Sequence, residues 1–136
     1  MALSFPDVLG PVVVAGVFVL LMSWVKEPAR QRFNAVFVAG AGSAYLNGGL
    51  GPVEFVLPVV ITFCAYRGLT SYRFIGLAWL AHAGFDVVHH LNGAPIIPFV
   101  DTSSFGCALC DPLLAIWFFA GAPSARSGRE GLAPRR

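Results

Sequence analysis

Five apolar stretches, separated by short basic or Gly/Pro-rich breaks, leave this 136-residue chain few ways to fold. They run over about 8–25, 33–50, 53–67, 74–91 and 104–122. About 20 apolar residues carry a helix across the hydrocarbon of a bilayer. Inside lipid, each backbone polar group must find its partner within the protein, which selects helices. Only 12% of the residues are charged and 57% are hydrophobic, whereas about a quarter of a soluble domain is charged. The sequence therefore predicts an all-α integral membrane bundle of five transmembrane helices. These form one domain, 1–123, followed by a disordered basic tail, 124–136.

The five stretches differ in character. The first is almost wholly apolar, carries no chemistry of its own and ends near Trp24, which suits a membrane interface. No Lys or Arg precedes it, so it does not read as a cleaved signal. The second holds Ala39, Gly40, Ala41, Gly42, Ser43 and Ala44. Small residues let helices approach closely in a membrane, so it reads as the central, tightly packed helix. Asn34, Tyr45 and Asn47 add hydrogen-bonding groups to it. In the third, Pro58 follows Glu54 by four residues and should loosen that turn. The fifth must include 112–122, which as helix is only about 16 Å long. It should therefore start near Ser104, with Ser103 as N-cap, and bend at Pro112. Alternatively, Asp111 caps a shorter helix after a re-entrant 105–110 segment.

Basic residues set the orientation. Lys26, Arg30 and Arg32 lie in the first connection, Arg67 and Arg73 in the third, and four arginines in the tail. The second and fourth connections carry none. Five spans then put the N-terminus outside and the C-terminus in the cytoplasm, with Glu54, His89, His90, Cys107, Cys110 and Asp111 toward the outer leaflet. A net charge of +2, dispersed among connections, gives no footprint for a nucleic-acid partner.

All three histidines fall in the run His82-Ala83-Gly84-Phe85-Asp86-Val87-Val88-His89-His90 of the fourth stretch. Ionisable groups at membrane depth are costly and mark function. On a helix, with His82 at zero, Asp86 falls at about 40°, His89 at about −20° and His90 at about 80°. They share one face, but His82 and His90 are about 12 Å apart along the axis, too far for one ion with bonds of about 2 Å. Asp86 is within reach of each histidine, as a ligand or as the acceptor that orients one. Candidate metal ligands are thus His82, Asp86, His89 and His90, completed by Glu54 or Asp111, with zinc, iron or copper as the ion. His89 and His90 read as the working end, with His82 deeper. Proton or ion passage and a purely structural hydrogen-bond network are the alternatives. Cys107 and Cys110 form a CxxC, a candidate redox pair or thiolate metal site, with packing thiols as the plainer account. Cys64 reads as a packing residue.

The runs 27–34, 66–69, 71–76, 86–90 and 107–112, with the small-residue second stretch, resemble a family of small bacterial integral membrane proteins of unknown function. The resemblance covers about 27–123. It implies a multi-pass protein of the bacterial inner (plasma) membrane and carries no activity. Partners expected from these readings are the lipid bilayer and either a second copy of the chain or a larger membrane complex. Functions left open are a metal-dependent membrane enzyme, a proton or metal-ion translocating protein, and a non-catalytic accessory subunit.

Overall fold

A computed structural model describes residues 4–46, 49–97 and 99–125. Asn47 and the tail from 126 onward lie outside the described residues. Among these residues five α-helices make up the fold: α1 Phe5–Met22, α2 Ala29–Gly42, α3 Val56–Gly68, α4 Tyr72–Leu91 and α5 Ser103–Phe119. There is no strand among the described residues.

The helix ends follow local chemistry. Asp7 accepts hydrogen bonds from the Ser4 backbone N–H (2.8 Å) and hydroxyl, closing the start of α1. α2 stops at Gly42, earlier than the apolar pattern suggests, and the chain tightens into a 3-10 turn over Ser43–Tyr45. A second 3-10 segment, Gly51–Phe55, precedes α3. Pro58 has no N–H to give to Glu54, so the α-helix begins at Val56 with proline inside its first turn, where that loss is harmless. α5 is continuous through Pro112. The re-entrant alternative is therefore absent, and Ser103 lies inside the helix rather than capping it. Its hydroxyl accepts instead from the Ile97 N–H at 3.0 Å.

α4 is the centre of the bundle, packed against α5, α3 and α2, while α1 lies outside against α5. The small-residue α2, expected at the centre, sits against α3 and one side of α4. Its glycines still set a close approach: a Cβ on Gly42 would lie 2.9 Å from Ile61 Cγ2. Gly76 of α4 meets Phe119 of α5 in the same way, at 2.9 Å. Val38, Ile61, Ile75, Ala78, Ala115 and Phe118 are fully buried between these helices.

One end of the bundle carries the basic connections. Glu27 takes hydrogen bonds from Arg30 (2.7 Å) and from the Tyr72 hydroxyl, which ties the α1–α2 connection to the start of α4. Ser124 donates to the Ser23 carbonyl at 3.1 Å, bringing the end of α5 to the same side.

The exterior is apolar and the interior is partly polar. Val12, Val13, Leu20, Val59, Phe63 and Ile116 are all exposed, while Asn34, Glu54, His82, Asp86, His89 and Asp111 are buried. Among the described residues only α1 is both long and apolar enough to cross a membrane; α5 is apolar but shorter.

Candidate metal centre

α4 and α5 bring three ionisable side chains together. His82 Nδ1 lies 2.8 Å from Asp111 Oδ2 and 3.2 Å from Asp86 Oδ2. The three residues are between 0 and 4% exposed. One donor atom from each falls within 4.8 Å of the others, the only such group of His, Cys, Asp or Glu among the described residues. His82 and Asp86 meet because positions four apart share a helix face. Asp111 joins them because α5 packs against α4.

The histidine's proton is fixed by the end of α2. The last carbonyls of a helix have no partner in their own helix. The Ala41 carbonyl lies 3.1 Å from His82 Nε2, and a carbonyl only accepts, so Nε2 carries the hydrogen. Nδ1 is then the atom offered to the two carboxylates. Histidines that bind metals are held in this way, with the far N–H on a carbonyl or carboxylate. Asp86 Oδ1, also buried, has no hydrogen-bond partner among the described residues.

A second polar group lies along α4. His89 Nε2 is 3.5 Å from Glu54 Oε1, and both residues are almost fully buried. Here the turn after α4 fixes the ring. Gly93, at φ 65°, ends the helix with Ala94 N–H bonding the His89 carbonyl (3.0 Å) and Gly93 N–H bonding that of His90 (3.2 Å). Such a left-handed closure suits glycine. It turns the Ala94 carbonyl back toward His89 Nδ1, at 3.1 Å. The Ser104 hydroxyl donates to the same carbonyl and accepts from Ile96 N–H, pinning the loop.

The geometry reverses the weighting along α4. His82, expected as the deeper member, is the one beside two carboxylates. His89 pairs with Glu54 and not with the three-residue group. His90 is partly exposed and packs on the Phe105 ring, at 5.3 Å between centroids. Cys107 and Cys110 are free thiols. They share with His82 and Asp111 the wall of an apolar cleft of about 280 Å3, open between α1 and α2 beside Phe18 and Phe37. Cys64 is a buried free thiol of the core.

Two contributors escape a reading of the sequence. The Ala41 and Ala94 carbonyls leave no trace in residue type. Tyr45 does: it is a polar aromatic in a small-residue stretch. Its ring lies between the two histidine sites, 5.0 Å from that of His82 and 4.2 Å from that of His89. It is fully buried, and its hydroxyl has no partner among the described residues.

An all-α bundle with an acid–histidine cluster in its core is the class these features define. The chain belongs to the family described as "Family of unknown function (DUF6010)", which matches residues 6–124. No curated protein and no solved structure matches it.

Proposed function

We propose that this is a multi-pass membrane protein that binds a divalent transition-metal ion through His82 Nδ1, Asp86 and Asp111. Charge balance carries the reading. With both carboxylates ionised and the imidazole neutral, the buried site would carry two negative charges, with no Lys or Arg among the buried residues near them. Buried charges are paired or coordinate metals. One proton on His82 would leave the site negative, whereas one divalent ion neutralises it. The mixed nitrogen and oxygen donors suit zinc or iron. The thiols stand outside the three-residue group, which counts against copper(I).

The membrane reading is supported by the inverted distribution of polarity. Apolar side chains cover the outside, and ionisable ones are confined to the core. The basic connections gathered at one end support a cytoplasmic placement of that end in the plasma membrane. The His82 and Glu54 groups then lie toward the other leaflet.

Three protein ligands leave coordination positions open, the mark of catalytic rather than structural sites. An ion held there can polarise an oxygen of a substrate or lower the pKa of water. The chain's own contribution is to fix the His82 ring through Ala41, to place two carboxylates and to exclude water with Trp79, Tyr45 and Leu114. The apolar cleft that reaches His82 and Asp111 between α1 and α2 favours a lipid-soluble substrate.

Protein purified without chelators is expected to carry transition metal, with the His82-centred ion lost on Asp86→Asn and on Asp111→Asn. Elemental analysis finding no metal in folded wild type would overturn the reading. A proton pathway is the second reading, favoured by the buried stripe His82, Asp86 and His89 on one face of α4. It predicts pH-driven flux in proteoliposomes that Asp86→Asn abolishes, and flux unchanged by that substitution would reject it.

A further inference from the structure

We propose that Glu54 and His89 form a second divalent-cation site, separate from the His82 centre. The hydrogen on His89 Nδ1 is committed to the Ala94 carbonyl. In the neutral ring, Nε2 is then a bare lone pair, and what it faces is the Glu54 carboxylate at 3.5 Å. Two acceptors do not face each other in a buried place unless something positive lies between them.

The separation selects what that is. A proton shared between a histidine and a carboxylate draws nitrogen and oxygen to about 2.7–2.9 Å. Two bonds of about 2.1 Å to one ion, at a tetrahedral angle, hold the donors about 3.4 Å apart. At 3.5 Å the pair is too far apart for a shared proton and leaves room for the ion, and His89 Nε2 makes no hydrogen bond among the described residues. The 2.8 Å between His82 Nδ1 and Asp111 Oδ2 is instead the spacing of a shared proton, which an ion bound there would displace. Both donors are also held from behind, as ligands usually are. Ala94 and Ser104 fix the imidazole, and the Leu50 N–H fixes Glu54 Oε1 at 2.7 Å.

One ion cannot serve both places. His82 and His89 are seven residues apart, about 10.5 Å along the helix, and Asp86 falls outside any three-donor group with His89 and Glu54. With two protein donors and one negative charge, the second site binds more weakly and leaves positions for water or an anion. The Tyr45 hydroxyl, on a ring packed against His89 and without a partner among the described residues, is a candidate to meet such a guest.

The test is a cobalt(II) titration of the full-length protein in detergent, followed by visible absorption and by metal analysis after desalting into dilute cobalt. Wild type is expected to take up two ions, a tight one and a weaker one. Glu54→Gln, which keeps an acceptor for the Leu50 N–H, and His89→Asn should each remove only the weaker. Asp111→Asn should remove only the tighter. A plateau at one ion that Asp111→Asn abolishes and Glu54→Gln leaves intact overturns the second site and keeps the first. One ion lost in Glu54→Gln but retained in Asp111→Asn keeps the second and overturns the first. No uptake overturns both. If the variants fail to fold the wild-type plateau decides: two ions support a second site, and a plateau at one ion overturns the two-site arrangement.

Discussion

Glu27 and Asp111 are both carboxylates anchored against α4, and their surroundings differ in one respect. Glu27 has its cation built in: Arg30 and the Tyr72 hydroxyl converge on one oxygen at the basic end of the bundle. Asp111 sits deep in the core with Asp86 and shares a single histidine with it. An ion pair that is complete in sequence needs nothing further and serves to join two segments. A buried pair of carboxylates with one imidazole is short of positive charge, and the proposed divalent ion would supply it.

The largest effect that tests this contrast is a reversal. In chelator, Asp111→Asn should melt above wild type, because like charges no longer share a buried site. At a hundredfold excess of divalent ion over the Kd of the His82 site, that site should add about 2.7 kcal/mol to wild type and nothing to the variant. Melting curves in the two conditions that fail to cross would break the comparison.

Next comes the support behind the histidine. Gly42→Ala places a Cβ 2.9 Å from Ile61 Cγ2 and 3.0 Å from Ile61 Cβ, close to the branch point of that side chain. α2 must yield, at a cost of about 1–3 kcal/mol. The neighbouring Ala41 carbonyl then shifts from His82, and ion affinity should fall by about 10–100-fold, the usual range for a supporting contact. Gly40→Ala, with nothing within 4 Å of its Cβ, is the matched control and should leave affinity unchanged.

The smallest effect belongs to the self-sufficient pair. Burial raises the Glu27 carboxyl, but hydrogen bonds from Tyr72 and Arg30, with the Arg30 charge, outweigh it and hold the pKa below its ordinary 4.5. A pKa lowered on folding contributes stability that is fully present above the unfolded value. That stability is lost as pH falls through the folded one. Wild type should thus lose stability below about pH 4.5, while Glu27→Gln shows no such step. At neutral pH the two should differ by less than about 1 kcal/mol, because the Glu27 side chain is 44% exposed and its pairing is screened. A larger gap would mean that this end is as tightly coupled as the core.

The α4 half of the centre is legible in the sequence because it depends on one helix. His82, Asp86 and His89 share a face by periodicity alone, and His90, at the edge of that face, ends against Phe105. The partners from other elements are not legible in the same way. Asp111 and Glu54 can be named as candidates, but which histidine each meets depends on helix neighbours. Five apolar segments do not encode which of them pack side by side. The early end of α2 is also hidden, since Gly40 and Gly42 read equally as packing residues and as a stop. That end matters most, because it exposes the Ala41 carbonyl and sends Tyr45 inward.

The place of α5 in the bundle has a consequence for assembly. It brings Asp111 to α4 and is the helix on which α1 rests. Until it docks, α4 holds His82 and Asp86 without Asp111, and α1 lacks the helix it packs on most. One docking event therefore seats α1 and completes the buried acid–histidine group together.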